Sequence, residues 1–169
     1  MTTVFNRICT ESLENGGANV GKHMCIASNS VLDYNECTRL ILDIGGQIEI
    51  LKENGFGLLC ITPNDISITS DGSYILTPIE NPLSCNEDGM LSIERPFTYN
   101  EHTMAPELKD IDTLPSKVFY TSVYYSLKYV AFKMLGIDSL KKLYPSKLFY
   151  LLERCSVGPK RQNFYICLI

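Results

Sequence analysis

Residues 118–135, VFYTSVYYSLKYVAFKML, constrain this chain most. The run carries two lysines and no acidic residue, so wound as a helix it has no wide polar face. A helix apolar nearly all round is stable in water only when other elements cover it on every side. The run predicts a central buried helix over 118–135, with Leu127 in the core. At 169 residues the chain is long enough to build that cover, since folding at this size buries roughly 70% of the unfolded surface.

A second periodic segment supplies one wall. From Asp33 the apolar residues Cys37, Leu40, Ile41, Ile44, Ile48 and Leu51 recur at helical spacing and form one stripe. Asp33 followed three residues later by Glu36 is a capping-box pattern, and Asn54-Gly55 is a stop signal. Gly45-Gly46 lies inside this helix, where each glycine costs about 1 kcal/mol, and predicts close approach by a neighbour.

Between the two helices, ISIT and YILT flank Ser70-Asp71-Gly72-Ser73 and predict a hairpin over 66–77. Residues 78–117 hold Pro78, Pro82, Pro96, Pro106 and Pro115 among scattered polar groups, and read mostly as loop. Two short helices are expected at the end, about 146–154 with Ser146 as N-cap after Pro145, and about 159–167. The first thirty residues read as an irregular arm with one short strand or helix at Met24-Cys25-Ile26-Ala27. The expected organisation is an arm over 1–32 and one domain over 33–169, mainly α with a small β-hairpin.

Composition excludes several function classes. Apolar residues make up 45% and charged residues 20%, which argues against a disordered chain. No stretch is long and apolar enough for a membrane span, and the N-terminus shows no secretory signal pattern. The net charge is −4, and the only basic clusters are Lys141-Lys142 and Lys160-Arg161, so nucleic acid is not an expected partner. Seven cysteines, at 9, 25, 37, 60, 85, 155 and 167, include no CxxC pair. They read as reduced thiols of an intracellular protein, mostly filling the core, with no metal site expected.

Two weak motifs are set aside on chemical grounds. Gly16 to Lys22 nearly matches a phosphate-binding loop, but His23 stands where the magnesium-binding hydroxyl belongs, and no apolar strand precedes it. A cysteine–histidine nucleophilic pair would have to use His23 in the arm or His102 in the loop.

Four motifs in order resemble the C-terminal lobe of eukaryotic protein kinases. Leu58 to Thr69, including Cys60-Ile61-Thr62-Pro63-Asn64-Asp65 and running into the hairpin, resembles the catalytic loop. Met104-Ala105-Pro106-Glu107-Leu108 resembles the Ala-Pro-Glu signature that closes the activation segment. Ser122-Val123-Tyr124-Tyr125-Ser126-Leu127 resembles the start of the central helix. Leu152-Glu153-Arg154-Cys155 with Gly158-Pro159-Lys160-Arg161 resembles the last conserved stretch. The resemblance covers about 33–167 and implies a protein-kinase-like C-terminal lobe. The thirty-two residues before Asp33 are too few for the N-terminal lobe that grips nucleotide, so none is expected.

The same resemblance implies loss of chemistry. Cys60 stands where the catalytic aspartate belongs, Asp65 where a metal-binding asparagine belongs, and Pro78-Ile79-Glu80 where the metal-binding Asp-Phe-Gly belongs. Glu107 and Arg161 are both kept, and the resemblance implies a buried structural ion pair between them. The expectation is a catalytically inactive, pseudokinase-like protein without cofactor or metal. It would act through a protein partner in the cytoplasm or a virion, mimicking or modulating a host kinase or serving as a structural component. Its abundance of Asn, Ile, Tyr and Cys is similar to that of degenerate kinase-like proteins of large DNA viruses. The alternatives are a peptide-binding scaffold of the non-catalytic C-lobe type, and a divergent transferase holding metal with Asp65 and Glu80.

Overall fold

The computed structural model describes residues 24–25, 31–77 and 82–158. The first helix, α1 (Tyr34–Glu53), begins where the capping box places it. The Asp33 carboxylate accepts the Glu36 N–H at 2.8 Å, and the Glu36 carboxylate accepts the Asp33 N–H at 3.0 Å. The helix stops at Asn54, and Gly55 follows with φ +78°, a left-handed conformation that glycine adopts without strain. Its buried face is the stripe Cys37, Leu40, Ile41, Ile44, Ile48 and Leu51, joined by Gly45.

The hairpin is present as β3 (Ile66–Ile68) and β4 (Tyr74–Leu76), paired antiparallel across a turn in which Gly72 has φ +83°. A short β1 (Met24–Cys25) pairs with the other edge of β3, so the sheet has three strands in the order β1-β3-β4. The free edge of β4 is closed by side chains of α1. Gln47 donates to the Tyr74 carbonyl at 2.8 Å and accepts the Leu76 N–H at 2.9 Å. Asp43 accepts the Tyr74 N–H at 3.0 Å. One amide therefore stands in for a neighbouring strand and removes an exposed edge. Burial pushes the Asp43 carboxyl above the usual carboxylate range, outweighing the downward pull of the Tyr74 N–H and of Arg39.

Two expectations need refinement. Residues 82–117 are mostly loop, as expected, but hold short strands. They contain β5 (Leu83–Ser84), paired with β2 (Phe56–Gly57), and β6 (Met90–Ile93), paired with β7 (Ser116–Phe119). Among the described residues the fold thus combines helices with three small antiparallel sheets and not with a single hairpin. The helix predicted over 118–135 also starts late. Val118 and Phe119 belong to β7, Tyr120–Val123 form a 3-10 turn, and α2 runs only over Tyr124–Leu135. Pairing with Met90 and Leu91 draws Phe119 and Val118 into a strand. A short apolar run does not by itself separate strand from helix.

The central position of α2 is as expected. Tyr124, Leu127, Val130, Ala131 and Met134 are buried, and only Lys133 of this helix is exposed. The third helix, α3 (Lys147–Ser156), is capped by the Ser146 hydroxyl, which accepts the Phe149 N–H at 3.1 Å. One core joins α1, α2, α3 and the β3–β4 hairpin. A smaller one lies between β6, β7 and the Ala105–Leu108 turn, with Tyr120 packed against both. The helix expected at 159–167 lies outside the described residues.

Candidate functional site

The segment between β2 and β3 leaves the sheet edge, runs across the start of α2 and returns as β3. Its polar groups are held from two directions. The Asp65 carboxylate accepts both the N–H and the hydroxyl of Thr62, each at 2.8 Å, and so closes the Pro63–Asp65 3-10 turn on itself. The Ile61 N–H donates to the Ser126 hydroxyl oxygen at 3.0 Å, across 65 positions of sequence. Ser126 in turn donates to the Val123 carbonyl, so a buried hydroxyl hangs the segment on the first turn of α2. The Thr103 hydroxyl, two residues before the Ala105-Pro106-Glu107 turn, stands close enough to the Cys60 thiol to pull its pKa down.

Cys60 is half-buried and chemically quiet. Burial pushes its thiol above the usual range, more than the Thr103 hydroxyl pulls it down, and the Asp65 charge pushes it up further. A thiol that stays protonated at neutral pH is a poor nucleophile. His102 is exposed and lies beside Glu101 at 3.9 Å, and no hydrogen bond joins it to Cys60. His23 and the Gly16–Lys22 motif lie outside the described residues.

Asp65 directs one carboxylate oxygen inward to Thr62. Among the described residues no three His, Cys, Asp or Glu side chains gather in a metal-binding group. Pro78, Ile79 and Glu80 lie outside the described residues, as does Arg161. Glu107 sits exposed on the Pro106–Leu108 3-10 turn. It lines a cavity of about 530 Å³ with Met90, Ile111, Lys117, Val118, Phe119, Thr121 and Gly158. The chain three positions before Arg161 therefore reaches the turn that carries Glu107. The expected Glu107–Arg161 pair lies outside the described residues, since Arg161 does.

Three features of this region have no local sequence signature. Thr103 and Ser126 act on Cys60 and Ile61 only through the tertiary fold. Glu49 of α1 accepts hydrogen bonds from the hydroxyls of Tyr120, at 3.0 Å, and of Tyr124, locking α1 to the segment entering α2. The available signal was Ser126 itself, a polar residue inside an apolar run.

Its neighbour Ser122 differs. The Ser122 hydroxyl is buried without a hydrogen-bond partner. Ser126→Ala is expected to cost about 1–3 kcal/mol, because it strands the buried Ile61 N–H. Ser122→Ala removes an unsatisfied group and is expected to be neutral or stabilising. Urea denaturation of the two variants side by side checks this; equal losses would show that Ser126 does not anchor the segment.

No protein-family model and no curated protein matches the chain. No helix among the described residues is long and apolar enough to cross a membrane.

Proposed function

We propose that this chain is a protein-kinase-like C-lobe without phosphate-transfer chemistry, acting as a protein-interaction module. What supports the reading is the use made of the segment that resembles a catalytic loop. At the position where transfer needs a carboxylate base stands a half-buried thiol whose pKa burial raises, and the Asp65 carboxylate caps its own turn. The side chain that would hold metal is here engaged in fastening the fold. The order of elements supports it too. A long capped helix, a loop, a hairpin, a segment ending in Ala105-Pro106-Glu107 and a buried helix follow one another as the resemblance implies.

Such a module offers surface and not turnover. Its partner would be a protein, with a kinase of a host cell or a regulator of one as the leading class. Nucleotide binding tests the reading. Magnesium-ATP at millimolar concentration is expected to leave the melting temperature of the full chain unchanged. A ligand at a hundred times its dissociation constant would add about 2.7 kcal/mol. A magnesium-dependent stabilisation of that size would favour the transferase alternative.

A further inference from the structure

The surface of α3 facing away from the core carries a second pattern. Leu148, Leu151, Leu152 and Cys155 are buried, while Lys147, Tyr150 and Arg154 share the outer face at helical steps of three and four. Tyr144 lies against this face just before the helix. Its ring centroid is 5.3 Å from Phe149 and 6.3 Å from Tyr150, and Phe149 and Tyr150 are 5.1 Å apart. The three rings form an edge-to-face cluster, yet Tyr144 is 62% exposed and Tyr150 48%. Two large aromatic side chains standing in water beside each other gain little for the fold and much for a partner that covers them.

The charges around the cluster say what that partner is. Lys142 is neutralised by Asp138 at 2.9 Å. Lys141, Lys147 and Arg154 are exposed and make no ion pair among the described residues; Glu153 is the one acidic residue beside them on α3. The patch is therefore net positive on a chain whose net charge is −4. We propose that this face binds an acidic peptide segment of a partner protein, with an aromatic or aliphatic residue of that segment packed over Tyr144 and Tyr150. This rests on the interaction-module reading and supplies its surface.

Competing occupants fit less well. A second copy using the same face would bring like charges together across a two-fold axis. Three cations do not make the basic stripe of a nucleic-acid surface. A lipid surface would be met by tyrosine hydroxyls and a mixed-charge flank, without the broad apolar face of an interfacial helix.

The test is selection of a random twelve-residue peptide library, displayed on phage, against the immobilised full chain. Enriched peptides are expected to be acidic and to carry an aromatic or aliphatic residue. A labelled consensus peptide, followed by fluorescence anisotropy, should bind at least about tenfold more weakly to Tyr150→Ala and to Lys147→Glu. It should also weaken with added salt. Lys147→Glu places an acid in the first turn of α3, where the helix tolerates it, and circular dichroism checks both folds. No enrichment, enrichment without acidic bias, or unchanged binding by both variants would overturn the proposal. So would Tyr150-dependent binding to phosphatidylserine vesicles or self-association without acidic peptides. Peptides that map to another face would remove this surface while leaving the module reading intact, and magnesium-dependent phosphate transfer would remove that reading itself.

Discussion

Truncating Leu127 to alanine is expected to lower the stability of this protein by about 2–5 kcal/mol. Leu127 has no solvent exposure and sits in the middle of α2, in the core shared by α1, α3 and the hairpin. The loss has two parts, the transfer free energy of the missing atoms and the cavity left among neighbours that relax only partly. Val123, Val130, Ala131 and Met134 in the same core are also closed to solvent, so little is free to collapse into the gap. Urea denaturation should show the midpoint falling with the slope unchanged. A loss below about 0.5 kcal/mol, the range of ordinary surface substitutions, would mean that α2 is not central.

The second large effect is expected at Gln47. This amide donates to the Asp43 and Tyr74 carbonyls and accepts the Leu76 N–H, holding the outer edge of β4 to α1. Tyr74 and Leu76 are buried, so Gln47→Ala leaves a carbonyl and an N–H without partners, each costing about 1–3 kcal/mol. Gln47→Glu separates hydrogen bonding from packing. Its carboxylate still accepts from Leu76 but cannot donate to Tyr74, so it should also destabilise at neutral pH. Hydrogen exchange separates the two locally, with the Leu76 amide losing protection in Gln47→Ala and keeping more of it in Gln47→Glu. Retained protection in Gln47→Ala would show that the edge is held by other means.

Parts of this fold written in short-range chemistry were legible in the sequence. The Asp33–Glu36 box, the Asp71-Gly72 turn and the Ser146 cap each act within a few residues, and each appears where its residues stand. Elements set by distant pairing were not. Val118 and Phe119 continue an apolar run that reads as helix, and only the facing strand Met90–Ile93 makes them a strand. In the sequence Met90-Leu91-Ser92-Ile93 is only a short apolar run among prolines, and its alternation emerges in the burial of the folded strand. The candidate site divides the same way. Cys60 and Asp65 could be named from the loop, and the Thr62–Asp65 closure is local. The Ile61–Ser126 tie spans 65 positions, and no local pattern reports it.

Phosphate transfer is the most direct test of the central claim, that this loop fastens a fold and performs no chemistry. Purified full-length chain is incubated with magnesium and ATP labelled at the γ-phosphate, alone and with a generic protein acceptor. A Cys60→Asp, Pro78→Asp double variant runs beside it. No incorporation is expected in either protein. On the proposed reading, two added carboxylates would still lack the groups that grip nucleotide phosphates, and a kinase needs both sets. Magnesium-dependent labelling of the wild-type chain, or of the double variant alone, would contradict the account.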